Sequence, residues 1–188
     1  MITRLPAVLA SLLCLSACAP GAPFVPDQVQ LPAGALGGGF DPDVTAVNLA
    51  QYAFADSSRT YGRPADAARA CASMLYLAGA LYQSPRWANI SADTKEQLLQ
   101  GRQEVRTALG VPPGVPAQQA VDGLVAAAAA LAADNRPAAV AALSGPAFPA
   151  GGEAVLARLS NLPYMRMANV GTMRAGNELF DSSTDDRF

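Results

Sequence analysis

Prolines and glycines interrupt this chain so often that it can form only helices of short or medium length. Proline lacks an N–H and fixes φ, so a helix accepts it in the first turn and rarely in the interior. Pro42, Pro64 and Pro163 each stand where a helix could begin, and clusters at 110–114 and 144–152 break the chain. No segment between these breaks alternates apolar and polar residues with period two. The pattern predicts an all-α fold.

Capping residues and apolar spacing predict a single compact helical bundle of four or five main helices plus one or two short ones. The main helices are expected at about 42–56, 64–83, 92–109, 117–134 and 163–180, and the short ones at 137–143 and 153–160. The second helix has the clearest buried stripe, with Cys71, Met74, Leu75, Ala78 and Leu81 on one face. These predicted helix ends imply a folded domain that spans residues 41–180.

The N-terminus is built like a secretory signal. Arg4 precedes an apolar run from Leu5 to Leu15, and small residues lead to Cys18. This pattern is typical of exported chains. A membrane-spanning helix needs about 20 apolar residues. Pro6 and the break after Cys18 leave a shorter apolar segment than that. An ordinary cleaved signal that happens to contain a cysteine is the remaining alternative.

The four residues Leu15-Ser16-Ala17-Cys18 closely resemble the lipobox of bacterial lipoprotein precursors. The resemblance implies that residues 1–17 are a cleaved signal peptide and that Cys18 is the lipidated N-terminus of the mature chain. It also implies an envelope protein whose partner is the membrane, held through acyl chains such as palmitate. Ala19 follows the cysteine, and in this class that favours the outer membrane, facing the periplasm. No family is recognised in the rest of the chain.

Composition divides the remaining sequence into a tether, a domain and a tail. Residues 18–40 are rich in proline, glycine and alanine and end in a triple glycine, which predicts a flexible tether. As a coil, residues 19–40 would span roughly 25 Å root-mean-square. The acidic, serine-containing segment 181–188 is expected to fray.

The absence of histidine excludes several function classes. It removes Ser-His-Asp and Cys-His nucleophile pairs, histidine-ligated haem and the ordinary catalytic zinc site. The chain has 13 basic and 15 acidic residues, a net charge of −2, which argues against nucleic acid as a partner. Once Cys18 is lipidated, Cys71 has no disulfide partner. We therefore predict no catalytic residue, no metal and no cofactor.

Two arginines are the candidate site residues of the domain. Arg102 falls near the middle of the apolar face of the third helix, and Arg106 follows one turn later. A charged side chain there must be paired, reach past its neighbours, or face a polar cavity. The alternatives are a structural ion pair, an anion site for a carboxylate or phosphate, and exposure on an oligomer or partner surface. Carboxylates that could form the ion pair are Asp56, Asp66 and Glu178.

Two further groups of residues have structural interpretations. A strip of small residues on the last helix predicts a close helix crossing, with the alanines at 126–130 and Gly123 as its expected partner. The strip consists of Ala168, Gly171, Thr172, Ala175 and Gly176. Aromatic residues could line a ligand cleft or anchor the core. They are Tyr52, Tyr61, Tyr76, Tyr82 and Trp87.

These observations favour a non-enzymatic envelope lipoprotein that acts as an interaction or assembly component, with an envelope protein as partner. The alternative is a helical module that binds a small anionic or amphiphilic ligand through Arg102 and Arg106. A second alternative is an enzyme that uses carboxylates alone as acid and base. Its candidates, chosen by residue type only, are Glu96, Glu104, Glu153 and Glu178.

Overall fold

The computed structural model describes residues 27–38 and 41–185, with side chains up to residue 179. Within that part of the chain it contains helices and no strand, which confirms the all-α prediction. The helices are α1 (Pro42–Phe54), α2 (Pro64–Gln83), α3 (Ala92–Leu109), α4 (Ala117–Ala132), α5 (Arg136–Ala142), α6 (Gly152–Ser160) and α7 (Arg166–Asp185). Single 3₁₀ turns lie at Ser57–Arg59 and Pro85–Trp87. None of the described helices is long and apolar enough to cross a membrane.

Local capping explains why α1 and α3 begin, and why α3 ends, close to where the sequence predicts. The Asp41 side chain accepts hydrogen bonds from the backbone N–H groups of Asp43 and Val44 at the start of α1. Ser91 does the same for Thr94 at the start of α3, and Gly110 ends that helix with a φ of 73°. Each capping interaction joins residues within a few positions of the helix end, so it can be predicted without knowing which helices pack nearby.

The last helix differs from its prediction at both ends. It begins at Arg166 and not at Pro163, and Leu162 and Met165, which precede it, are buried. The Glu104 carboxylate, from α3, accepts hydrogen bonds from the backbone N–H groups of Met167 and Ala168 at 2.9 and 3.0 Å. At the other end α7 continues to Asp185. Most of the predicted tail 181–188 is therefore helical, and residues 186–188 lie outside the described part.

Helix α2 lies at the centre of the bundle and contacts α1, α3, α4 and α6. Cys71, Met74, Leu75 and Leu81 on its predicted stripe have no exposed surface, and many other residues around its circumference are buried too. The single stripe read from the sequence is thus only one side of a helix enclosed on several sides. One residue of this helix, Tyr76, takes part in the polar cluster around Asp43 described below.

The predicted partner of the small-residue strip is wrong. Helix α7 packs against α3 and α1, whereas the alanine-rich α4 packs mainly against α2 and α5. A Cβ added to Gly101 of α3 would lie 2.7 Å from the Cα of Ala168, and one added to Gly171 would lie 3.0 Å from the carbonyl carbon of Gln97. Small residues do let two helix backbones approach closely here, but the small residue that faces the strip is Gly101 of α3, not a residue of α4.

Residues 27–38 pack along the domain, and we call this segment the strap. Val29 and Leu36 are buried, and Gln30 exchanges two hydrogen bonds with the Gln118 side chain at 2.7 and 3.0 Å. Gly79 of α2 leaves room for the backbone of Asp27, whose carbonyl oxygen would lie 2.8 Å from an added Cβ. The packed domain therefore includes part of the segment 18–40 that the composition assigned to the tether.

The strap is the first described part of the chain. The predicted signal peptide 1–17, Cys18 and the rest of the predicted tether up to residue 26 lie outside the described residues, as do residues 39 and 40.

Candidate functional site

Arg102 is held by a carboxylate that the strap supplies. Its side chain is buried, and its Nη2 forms an ion pair with Oδ1 of Asp27. The other oxygen of Asp27 accepts a hydrogen bond from the backbone N–H of Ala117 at 2.5 Å. Asp27 thus connects the strap, the middle of α3 and the start of α4.

The three carboxylates expected as ion-pair partners of Arg102 are engaged elsewhere. Asp56 caps the 3₁₀ turn at Ser57–Arg59, and Asp66 pairs with Arg69 one turn along α2. Glu178 accepts hydrogen bonds at the start of α3. The partner was missed because Asp27 lies in the segment that resembled a linker.

Arg106 organises the loop that joins α3 to α4. It is 3% exposed, and its Nη2 donates hydrogen bonds to the carbonyl oxygens of Pro112, Pro113 and Val115. Burial lowers the pKa of Arg106, and the nearby charge of Arg102 lowers it further. Among the described residues, Nη1 of each arginine lacks a hydrogen-bond partner. Arg102 and Arg106 are therefore both buried, with Arg102 bound to the strap and Arg106 bound to the loop between α3 and α4.

Replacing Asp27 with asparagine is expected to loosen the strap at neutral pH. Burial raises the pKa of Asp27, but the Ala117 N–H and the Arg102 guanidinium outweigh it and hold the pKa below the usual 3.8. A carboxyl with a lowered folded-state pKa stabilises the fold above its unfolded-state pKa, and this contribution is lost as the pH falls through the folded-state value. Amide exchange in residues 28–38 should be faster in the variant at pH 7. The difference should shrink as the pH falls below the usual 3.8 and be lost once the pH has fallen through the lower folded-state pKa, and equal exchange at pH 7 would contradict the role given to Asp27.

A second polar cluster surrounds Asp43 in the first turn of α1. Its carboxylate accepts hydrogen bonds from the hydroxyl of Tyr76, from Nε1 of Trp87 at 2.7 Å and from Nη1 of Arg86 at 3.3 Å. Arg86 also pairs with Asp41 and lies over the Trp87 ring, 4.2 Å from its centroid. Burial and the bond to Asp43 raise the pKa of Tyr76. Tyr76 and Trp87 thus fasten the start of α1 to the end of α2.

The carboxylates proposed for acid and base chemistry do not share a site. Glu96 accepts a hydrogen bond from Gln100, and Glu153 pairs with Arg136. Glu104 caps α7, while Glu178 caps α3. The described residues contain no group of three or more cysteine and acidic side chains that could hold a metal ion.

Cys71 is unpaired and completely buried in the described structure. Burial raises the pKa of its thiol to about 12. A thiol in that state is protonated at neutral pH and is a poor nucleophile. Cys71 therefore acts as a small apolar side chain in the core.

Three tyrosines are exposed at one end of the bundle, which we call the tyrosine end (Tyr52, Tyr61 and Tyr164). Their exposures are 59%, 68% and 58%. The end of α1, the loop at 57–63 and the segment before α7 meet there, and the Gly62 N–H donates to the Ser160 carbonyl at 2.9 Å. Tyr82 is exposed as well, but it lies near the opposite end of α2.

An open cleft lies beside the tyrosine end, between the strap, α1 and the start of α2. We call it the Arg59–Arg69 cleft; its volume is about 420 Å³. Its apolar wall consists of Leu36, Leu49 and Ala53, and its polar rim includes Arg59 and Arg69. Other lining residues are Gly37, Tyr52, Thr60 and Asp66. Of the predicted cleft aromatics, only Tyr52 takes part.

The sequence signals for this cleft were weak. Arg59 stands in a polar turn, and Arg69 follows Asp66 by one helical turn, a spacing typical of a solvated surface pair. Only the docking of the strap, through Leu36, turns this part of the surface into a cleft.

The chain matches no protein-family model, no curated protein and no solved structure.

Proposed function

We propose that this protein is a lipid-anchored lipoprotein of the bacterial envelope, facing the periplasm, and that its helical domain binds an envelope protein without catalysing a reaction. The lipobox ending at Cys18 supports the anchor. The observation that carries the interaction role is the tyrosine end, where three exposed tyrosines occur at the same end of the bundle. Single exposed apolar residues are ordinary on protein surfaces, whereas grouped ones mark interaction sites.

The strap supports a role close to the membrane. Only residues 19–26 separate Cys18 from Asp27, the first described residue of the strap. A chain of that length reaches at most about 30 Å when fully extended, and as a coil it spans roughly 16 Å. A domain held by Cys18 is therefore kept near the lipid headgroups, and its partner is expected at or near the same membrane.

Tyrosine suits a protein interface because it brings a large rigid surface with a polar hydroxyl. Tyr52 is also held in place, since the Arg59 guanidinium lies 4.4 Å from its ring centroid and Nη1 of Arg59 donates to the Tyr52 carbonyl at 2.7 Å. A side chain ordered before binding loses less conformational entropy in the complex. These contacts support the tyrosine end as a preformed surface.

The anchor is tested by mass spectrometry and fractionation. The mature chain should begin at Cys18 and carry the mass of its acyl chains, and it should sediment with membranes. A Cys18→Ala variant should lose both properties. Membrane fractionation that persists in the variant, or a wild-type N-terminus without acyl mass, would refute the anchor.

The interaction role is tested with a photo-crosslinking amino acid placed at Tyr61 or Tyr164 in the anchored protein. Tyr82 is the matched control, because it is an exposed tyrosine away from the tyrosine end. Illumination of intact cells should give the same crosslinked protein from Tyr61 and Tyr164 and none from Tyr82. Absence of a product at both positions, or the same product from all three, would overturn the proposal.

A further inference from the structure

We propose that the Arg59–Arg69 cleft binds a single-chain amphiphile with an anionic head. The ligand's head would contact the arginines at the rim, and its chain would lie against the apolar wall. This cleft lies beside the partner surface proposed above and shares Tyr52 with it. Its tests use Arg69 and Asp66, whereas the crosslinking test uses Tyr61 and Tyr164, so failure of one proposal is distinguishable from failure of the other.

The dimensions and wall of the cleft favour a small amphiphile. Its volume of about 420 Å³ lies within the range of ligand pockets. Leu49 and Ala53 of α1 form one side, and Leu36 of the strap forms another. Apolar side chains from two separate segments give a hydrocarbon chain more contact than a flat helix surface could.

The rim favours an anionic head. Two guanidinium groups, of Arg59 and Arg69, line the cleft with a single carboxylate, Asp66. Arg69 is only partly exposed, with 25% of its side-chain surface accessible, and its Nη1 lies 3.2 Å from Asp66. Each guanidinium has five N–H donors, and the hydrogen bonds within the described residues use Nη1 alone. The remaining donors can serve a carboxylate or phosphate group, and the excess positive charge disfavours an ammonium head.

The binding test uses the mature chain from residue 18 onward with Cys18→Ser, so that no attached acyl chain competes. Its helical fold is checked first by circular dichroism. Isothermal titration with octanoate should show saturable binding, whereas octylammonium and octanol should bind much more weakly. Equal binding of octanoate and octylammonium would overturn the proposal, because the rim would then select no charge.

Variants at the rim test the site itself. Arg69→Leu should weaken octanoate binding about tenfold or more, because hydrogen bonds to a charged group are lost. Asp66→Asn should tighten binding, since it removes the competing carboxylate. Arg166→Leu, an exposed arginine outside the cleft, is the matched control and should leave binding unchanged.

Thermal unfolding of each variant separates lost binding from lost folding. Unchanged affinity in a folded Arg69→Leu variant would overturn the proposal, as would weaker binding in a folded Asp66→Asn variant. Competition of phosphatidylglycerol vesicles with octanoate that depends on Arg69 would overturn the single-chain assignment, because each molecule of that lipid has two acyl chains. Octanoate binding without such competition would support it.

Discussion

Replacing Asp43 with alanine is expected to lower the free energy of unfolding by about 3 kcal/mol. The substitution leaves Nε1 of Trp87 without its buried acceptor and removes the acceptor of the Tyr76 hydroxyl. An unsatisfied buried donor costs about 1–3 kcal/mol. Arg86 adds little to this total, because half of its side chain is exposed and solvent screens the pair.

Urea unfolding followed by tryptophan fluorescence measures this effect directly, since Trp87 is the single tryptophan of the chain. Tyr76→Phe is the matched control, because it removes one of the hydrogen bonds and keeps the ring. It should cost only about 1 kcal/mol. If Asp43→Ala were no more destabilising than Tyr76→Phe, the carboxylate would not be the centre of the cluster.

Replacing Gly101 with alanine is the second large expected effect, a loss of about 2–3 kcal/mol. The added Cβ would lie 2.7 Å from the Cα and 2.9 Å from the backbone nitrogen of Ala168. Backbone atoms cannot rotate away as a side chain can, so α3 and α7 must separate. Alanine has a better helix propensity than glycine, which stabilises the variant by up to about 1 kcal/mol. The expected loss of about 2–3 kcal/mol already includes this gain.

Two other glycines provide controls for this substitution. Gly114 has no atom within 4 Å of an added Cβ, so Gly114→Ala should change stability by no more than about 0.5 kcal/mol. At Gly176 the nearest atoms belong to the Gln51 side chain, which can rotate, so its cost should be intermediate. Thermal unfolding of the three variants tests the order. A Gly101→Ala protein as stable as Gly114→Ala would contradict the close crossing of α3 and α7.

Most helix ends could be predicted from the sequence because their causes are local. The Asp41 and Ser91 side chains accept hydrogen bonds from backbone N–H groups two or three residues away. Gly110 ends α3 by adopting a positive φ at its own position. The start of α7 was missed because its cap is not local. The carboxylate of Glu104, on α3, takes the place of a capping residue next to α7.

The candidate site was less predictable. The apolar face of α3 correctly marked Arg102 and Arg106 as side chains that need partners, since burial follows from helical spacing. Nothing local indicated Asp27 as the partner, because it stands among prolines and glycines that suggested a linker. The Arg59–Arg69 cleft was missed for the same reason, as it exists only where Leu36 of the strap meets α1 and α2.

The sequence by itself determined the all-α fold and the approximate extent of each helix, since hydrogen bonds within a helix and its caps involve residues close in the chain. It also determined which chemistry the missing histidine excludes. Only the tertiary structure decided which helix α7 crosses, which carboxylate holds Arg102, and where a cleft opens. Those outcomes depend on backbone approach and side-chain pairing between residues far apart in the chain, such as Gly101 with Ala168 and Asp27 with Arg102.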